Sequence, residues 1–258
     1  MSRPNYFSHL SAAERYAKFR HYFQPLIVER IVKHTGCARF DRVLDVGCGT
    51  GNSTKAIAAA AKQVDALDNS AAMMAQAPKL PNVAYHLGKA EALPFPENTF
   101  DLVTVGLAFH WFDQEKFLDE ANRVLKPGGL LAIYNNYFIS EMREREDFSH
   151  WVRGQFLKRY MTPPRGRKKL TATFANAHGF DLSGPEGFPN DTPMTHEELA
   201  GYFLTQSNVI SKVEEGSEKI EDVEQWVTEG TRPFFDGGKR TMRFQCDIWY
   251  LKKVKASG

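Results

Sequence analysis

Asp45, Gly47, Gly49 and Asp68 are the residues of this chain whose types and spacing could do chemistry together. They stand in VLDVGCGTGNST, Val43 to Thr54, and in LDNS, Leu67 to Ser70. Glycines let backbone approach a ligand closely, and a glycine loop running into a helix presents its amides to a nucleotide. The spacing is GxGxG, with Asn52 where the dinucleotide fingerprint GxGxxG requires its third glycine. A carboxylate at the mouth of the loop, Asp45, repels a pyrophosphate and attracts the ammonium of an amino acid. Asp68 follows the next apolar run, where a carboxylate can accept hydrogen bonds from both ribose hydroxyls; its alternative is to cap the helix beginning near Ser70. Asn69 is its neighbour on the same turn. A nucleoside joined to a cationic amino acid fits this set, and S-adenosylmethionine is such a molecule.

The elements that position these residues follow from periodicity. Short apolar runs alternate with helical stretches from Arg42 onward, the pattern of βαβ units building a parallel sheet. Val43 to Val46, Val64 to Leu67, Val83 to Leu87, Leu102 to Val105 and Leu130 to Tyr134 are predicted strands. Helices are predicted over Asn52 to Lys62, Ala71 to Ala77 and Glu115 to Leu125, with Pro127, Gly128 and Gly129 stopping the last. Ahead of them, Ser11 to Thr35 reads as two helices divided at Pro25, expected over the open edge of the sheet. Later, Glu141 to Tyr160, Thr195 to Asn208 and Glu218 to Glu229 read as the helices of a cap. Leu170 to Ala177, with Gly179 as a helix stop, returns the chain to the core, and Arg240 to Val254 alternates as a long final strand. The expected division is residues 1–136, 168–192 and 239–258 as the core, with 137–167 and 193–238 as cap insertions.

Four ordered stretches carry a family likeness. VLDVGCGTGNST resembles the first motif of class I methyltransferases, and LDNS resembles the second. GKAEALPFPENTFDLV, Gly88 to Val103, is similar to the third and fourth motifs of the small-molecule branch, and RVLKPGGLLAI, Arg123 to Ile133, to its last helix, turn and fifth strand. The resemblance implies a doubly wound, Rossmann-like, seven-stranded and mostly parallel sheet with helices on both faces and a reversed last hairpin. It implies S-adenosylmethionine as cofactor and places Ala90 and Glu91 beside the adenine, through their amides more than their side chains. FHWFD, Phe109 to Asp113, and the final strand resemble methyltransferases that esterify carboxylic acids such as trans-aconitate.

Other candidates have weaker signatures. Met73, on the first turn of a helix, packs either on the adenine or in the core. Arg20 could bind a carboxylate by a bidentate pair, and Tyr16, one turn earlier, could face the same cavity as a substrate contact; both are otherwise ordinary helix-surface residues. His110 and Trp111 follow the fourth predicted strand at the carboxyl edge of the sheet, where open α/β folds bind ligands, so they are expected to meet the substrate. His110 is also the candidate base, and Ala108 in the same turn is assigned to the cofactor. The aromatic residues of the cap either line an apolar pocket or form its core. Arg232, Arg240 and Arg243 are available to read an acidic substrate, with surface roles as the alternative.

Bulk properties bound the rest. With 258 residues the chain makes one sizeable α/β domain with a smaller cover. Lys and Arg number 33 against 31 for Asp and Glu, which gives no electrostatic reason to expect nucleic acid. Three cysteines without paired spacing argue against a disulfide framework and against zinc, and no metal is expected. The opening MSRPNYFSHL lacks the apolar run of a signal peptide and no stretch is long enough to cross a bilayer, so a cytoplasmic protein without a membrane partner is expected. The reading is therefore methyl transfer to a small-molecule acceptor, oxygen first and a carboxylate among the oxygens. N- or C-methylation, a silent S-adenosylmethionine-binding module and an NAD-dependent dehydrogenase are the alternatives. No motif encodes the oligomeric state.

Overall fold

A computed structural model of the chain describes residues 7–161 and 168–254. Arg165 and Arg167 lie outside the described residues. Contacts divide the chain into two compact units: Met1–His21, Asn136–Pro164 and Pro189–Gln245 form one, and Tyr22–Asn135, Arg165–Phe188 and Cys246–Gly258 form the other. The helices in chain order are α1 Leu10–Phe19, α2 Gln24–Thr35, α3 Asn52–Ala58, α4 Ala71–Met74, α5 Gln114–Val124, α6 Phe148–Trp151, α7 Leu157–Arg159, α8 Ala172–Ala177, α9 His196–Leu204, α10 Ser207–Glu214 and α11 Ile220–Thr231.

Seven strands form one sheet: β1 Phe40–Val46, β2 Ala61–Asp68, β3 Val83–Leu87, β4 Phe100–Gly106, β5 Leu125–Met142, β6 Phe180–Met194 and β7 Arg240–Lys253. Their order is β3-β2-β1-β4-β5-β7-β6. β1 pairs in parallel with both β2 and β4, β2 with β3, and β4 with β5. The chain winds outward through β2 and β3, then restarts on the other side of β1 with β4. The carboxyl ends of β1 and β4 therefore border the switch point where such sheets bind ligands. The last strand enters between β5 and β6, the rearranged end that the family resemblance implied.

In the sheet unit both faces are covered, which is why its strands read as nearly continuous apolar runs. Successive side chains point to opposite faces. Val43, Leu102 and Ala132 meet Ile27 and Ile31 of α2 and Ile57 of α3. Their neighbours Leu44, Val103 and Leu131 meet Phe117, Leu118 and Ala121 of α5 and Ala175 of α8. Helix α2 thus lies on a face of the sheet and not over its edge, because its apolar stripe continues the apolar face of β1 and β4. Pro25 opens α2 in its first turn, where a missing amide leaves no bond unmade, and Gly36 at φ +66° ends it.

Other boundaries differ from expectation in this unit, among them the helix predicted to Ala77, which ends at Met74. The helix predicted to Lys62 ends at Ala58, since Ala61 already pairs with Phe40 in the sheet. The Pro127–Gly129 segment, read as a stop, lies inside β5, which begins at Leu125.

The other unit has its own core, formed among others by Phe148, Trp151, Phe156, Leu199, Phe203 and Val227. In it α1 rests on α9, where Gly201 leaves room for the Phe19 ring. The helix predicted over Glu141 to Tyr160 begins only at Phe148, because β5 continues to Met142, and a π-helical turn, Val152–Phe156, separates α6 from α7. The helix predicted over Thr195 to Asn208 is two, α9 and α10. A capping box of Thr195 and Glu198 starts the first of them. Among the described residues no helix is long and apolar enough to cross a membrane.

Candidate active site

The loop after β1 needs its glycines for two separate reasons. Gly47, Gly49 and Gly51 have φ of +70°, +53° and +78°, the left-handed region that side chains disfavour. The loop is also crowded. A β-carbon at Gly47 would stand 2.5 Å from the Ala108 methyl, and one at Gly51 2.9 Å from Pro78. At Gly49 the nearest atom is the Met73 methyl, at 3.2 Å. Backbone amides fix the curve: Gly47 and Cys48 both donate to Leu67 O, at 2.8 and 3.1 Å.

Asp68 ends β2 and clamps the loop. Its Oδ2 accepts from Gly49 N and its Oδ1 from Ser70 N, each at 2.8 Å. It is not the helix cap, since Ser70 Oγ accepts from Met73 N and caps α4 itself. Burial pushes the Asp68 carboxyl up, against the pull of the Ser70, Gly49 and Asn69 amides. The carboxylate keeps partial exposure, so lone pairs remain for hydroxyl donors. Met73 is buried, against Gly49, while the adjoining Asn69 is exposed.

Asp45 lies elsewhere than the sequence suggested. It has no exposed surface. Three hydroxyls surround it: Ser53 Oγ donates to Oδ1 at 2.9 Å, Thr104 Oγ1 to the same oxygen at 2.8 Å, and Thr54 Oγ1 to Oδ2 at 2.7 Å. Thr104 stands opposite it in the parallel register of β1 and β4, and Ser53 and Thr54 come from the first turn of α3. The carboxylate lies behind the loop, where it ties the first turn of α3 to β4. Burial pushes its pKa up, while the three hydroxyls pull it down. Sequence reasoning missed all three; the NST after the glycines was a signal, but Thr104 needed the strand register.

The turn expected to meet the acceptor follows β4. Gly106 ends the strand, Leu107 takes φ +59°, and Phe109–Trp111 form a single 3-10 turn closed by Trp111 N donating to Ala108 O at 2.8 Å. A branched residue in that conformation is strained and is held there by its surroundings, here partly by Leu107 N donating to Tyr134 O at 3.0 Å. Ala108 is thereby set against Gly47, and His110 and Trp111 sit half-buried with rings 4.9 Å apart. Ala90 is buried beneath this region in the core shared with Phe109. The Glu91 carboxylate accepts from Asp113 N at 2.9 Å, so its side chain serves the start of α5. These residues all belong to the sheet unit.

Tyr16 and Arg20 belong to the helical unit. There Arg20 donates to Thr205 O at 2.9 Å and its guanidinium lies over the rings of Tyr16 and Tyr202 at 4.8 and 5.0 Å. The cap aromatics Trp151, Tyr160, Tyr202 and Phe203 form the core of this unit. Arg240 pairs with Asp236 at 2.6 Å, and Arg243 with Glu141 at 3.0 Å and Asp191 at 3.8 Å, so both guanidiniums are already engaged by carboxylates. Among the described residues no group of three or more His, Cys, Asp or Glu could hold a metal ion.

Comparison with known proteins bears on this arrangement. A family model described as a methyltransferase domain matches residues 44–133, the span from β1 to β5. A Dictyostelium discoideum protein classed as a methyltransferase is 33% identical over 219 residues, covering 81% of this chain and 80% of the relative. The chain belongs to the methyltransferase family. It is a class I S-adenosylmethionine-dependent methyltransferase, and S-adenosylmethionine is its cofactor. The dehydrogenase alternative falls with that, in keeping with Asn52 in place of the third glycine.

Two solved structures share the fold of this methyltransferase. One, from Anaeromyxobacter dehalogenans and assigned to the type II methyltransferases, has a TM-score of 0.69 at 22% identity, covering 92% of this chain and 98% of the other. The other is phosphoethanolamine N-methyltransferase 2 of Haemonchus contortus, with phosphomonomethylethanolamine and S-adenosylhomocysteine bound. Its TM-score is 0.56 at 19% identity, covering 95% of this chain and 58% of the other.

Proposed function

We propose that this methyltransferase acts on an oxygen of a small-molecule acceptor, with the cofactor on the glycine loop and the acceptor at the Phe109–Trp111 turn. The observation that carries the reading is the placement of His110 and Trp111, half-exposed at the carboxyl end of β4, on a turn tied to the cofactor loop by the contact of Ala108 with Gly47. In this reading the Asp68 carboxylate accepts the ribose hydroxyls, Met73 forms an apolar wall for the adenine, and the amides of Asn69, Ala90 and Glu91 border the base. Gly47, Gly49 and Ala108 let the loop close on the amino-acid end, and Asp45 supplies negative potential behind it. Tyr16 and Arg20, expected on the substrate and a carboxylate, are packed within the helical unit, where Arg20 engages Thr205 and lies over Tyr16 and Tyr202.

S-adenosylmethionine supplies a methyl already activated on a sulfonium, with a neutral thioether as leaving group. The chain therefore mainly aligns the acceptor and keeps water away. Trp111 offers an apolar wall for that purpose. A carboxylate acceptor arrives ionised and needs no proton taken from it; a hydroxyl acceptor uses His110 as the base. The pairing of Arg240 and Arg243 with carboxylates gives no special support to an acidic acceptor.

The test is incubation of a metabolite extract with methyl-labelled cofactor, followed by mass spectrometry. A single-methyl product that releases methanol in mild alkali is an ester, and one that resists alkali and carries the label on oxygen is an ether. Label found only on nitrogen or carbon would overturn the oxygen assignment. Label found only on macromolecules would overturn the small-molecule assignment.

A further inference from the structure

The functional reading leaves one buried set of hydroxyls unused. Tyr134 of β5 donates its hydroxyl to Ser53 Oγ at 2.7 Å, and Ser53 in turn donates to Asp45 Oδ1 at 2.9 Å. Tyr134 is almost fully buried, and its ring meets Phe23 edge-on at 6.2 Å. Gly106 pairs with Tyr134 across β4 and β5, and any β-carbon at Gly106 would collide with the Tyr134 hydroxyl. The tyrosine therefore reaches Ser53 only because residue 106 is glycine. From the same residue, Tyr134 O holds Leu107 N at 3.0 Å, at the start of the strained turn that carries Ala108 and His110.

One residue thus touches both halves of the site. Its hydroxyl leads through Ser53 to the carboxylate behind the cofactor loop, and its carbonyl secures the turn on the acceptor side. Hydroxyl donors stabilise the ionised form of a buried carboxylate, and each donor that is itself held by a neighbour is worth more to that anion.

We propose that Tyr134 is a positioning residue, which through Ser53 keeps Asp45 anionic behind the cofactor loop and through its backbone fixes the acceptor turn relative to that loop. The inference rests on the cofactor placement proposed above. The groups that face Asp45 are Ser53 and Thr54 from α3, Thr104 from β4, Asp68 from β2, Cys48 in the loop and Tyr85 from β3. Cys48 and Tyr85 are both pushed up and stay neutral near pH 7, so Asp68 is the one further anion of the group.

The experiment is calorimetric titration of the whole protein with S-adenosylmethionine from mildly acidic to mildly alkaline pH, for the parent, Tyr134→Phe, Ser53→Ala and Thr104→Val. Removing a donor pushes the Asp45 carboxyl further up, so each variant is expected to bind more weakly, the loss approaching about fivefold at the acid end of the range. The loss should grow as pH falls and fade as it rises. The Tyr134→Phe, Ser53→Ala double variant should match Ser53→Ala alone, because both act along one path. Should Tyr134→Phe fail to fold, Ser53→Ala decides the matter, because it removes the hydroxyl through which Tyr134 acts, while Thr104→Val, off that path, reports on the carboxylate alone.

A loss independent of pH, or parental affinity in folded Ser53→Ala and Tyr134→Phe, would overturn the proposal. Asp68→Ala keeps the two readings apart. Parental binding by that variant refutes the cofactor placement itself, whereas weakened binding by it alongside pH-independent behaviour of the hydroxyl variants refutes only the role of Tyr134.

Discussion

Gly47→Ala probes the loop at its tightest point, and Gly36→Ala supplies the matched control. Both glycines hold left-handed backbone, at φ +70° and +66°. A side chain in that region costs about 1 kcal/mol, part of it offset by the smaller freedom of alanine in the unfolded chain. Beyond this shared cost the two sites differ. Nothing lies within 4 Å of a β-carbon at Gly36, whereas at Gly47 it would meet the Ala108 methyl at 2.5 Å and Phe112 Cζ at 3.2 Å. Carbon atoms pack best at about 3.5–4.0 Å, so the overlap must be relieved by moving the turn or the loop, at roughly 1–3 kcal/mol. Gly47→Ala should therefore lose about 2–4 kcal/mol in urea unfolding and Gly36→Ala about 1 kcal/mol or less. Ala108→Gly in the Gly47→Ala background removes the nearer obstacle, and the pair should recover about 1–2 kcal/mol relative to additivity. Cofactor affinity should fall in Gly47→Ala and in no measurable degree in Gly36→Ala. Equal losses for the two single variants, or a coupling energy near zero, would refute the close approach of the Ala108 turn to the loop.

Two further predictions follow from strain and burial. At Leu107, φ +59° reverses the usual order of substitutions, so Leu107→Gly should be about 1 kcal/mol more stable than Leu107→Ala; the opposite order in urea melts would contradict the left-handed turn. Asp45 has its folded carboxyl raised by burial from 3.8, so its contribution to stability is fully present below that value and is lost as pH rises through the folded value. Measured against Asp45→Asn, the parent should be relatively more stable at the acid end and lose that advantage as pH rises, and a flat difference would show that burial does not govern this group.

The fold was legible where one element decides its own state. β3 spans Val83–Leu87 as the alternation predicted, and Pro25 and Gly36 bound α2 by local backbone preference alone. What escaped depended on partners distant in sequence. The helix after the loop stops at Ala58 because Ala61 is taken by the sheet, and β5 runs through Pro127 and on to Met142 although its own sequence signals a turn. β6, Phe180–Met194, alternates only over its first four residues before Gly184, Pro185, Gly187 and Pro189 break the pattern, so its place beside β7 is what makes the rest a strand. Long-range pairing overrides local propensity in each case.

Asp45 shows the same limit at the level of chemistry. The sequence carries a carboxylate two residues before a glycine loop, and Coulomb's law makes it attractive to a cationic ligand wherever it points. Its environment is another matter: three hydroxyls from α3 and β4 and no exposed surface put it behind the loop. An anion so placed is costly to bury, and a stability argument alone would replace it with an apolar residue. Besides tying α3 to β4, it gains a functional rationale in the proposed reading, where negative potential at the loop serves a cofactor whose sulfonium and ammonium are both positive. The chain surrounds the carboxylate with donors that favour its charged form and ties one of them, Ser53, through Tyr134 of β5 to the start of the turn after β4. In the proposed reading the donors are in place before the ligand arrives, and no reorganisation is needed at the moment of binding. In that reading the hydroxyls of Ser53, Thr54 and Thr104, invisible as a motif, belong to the proposed site as much as the glycines do.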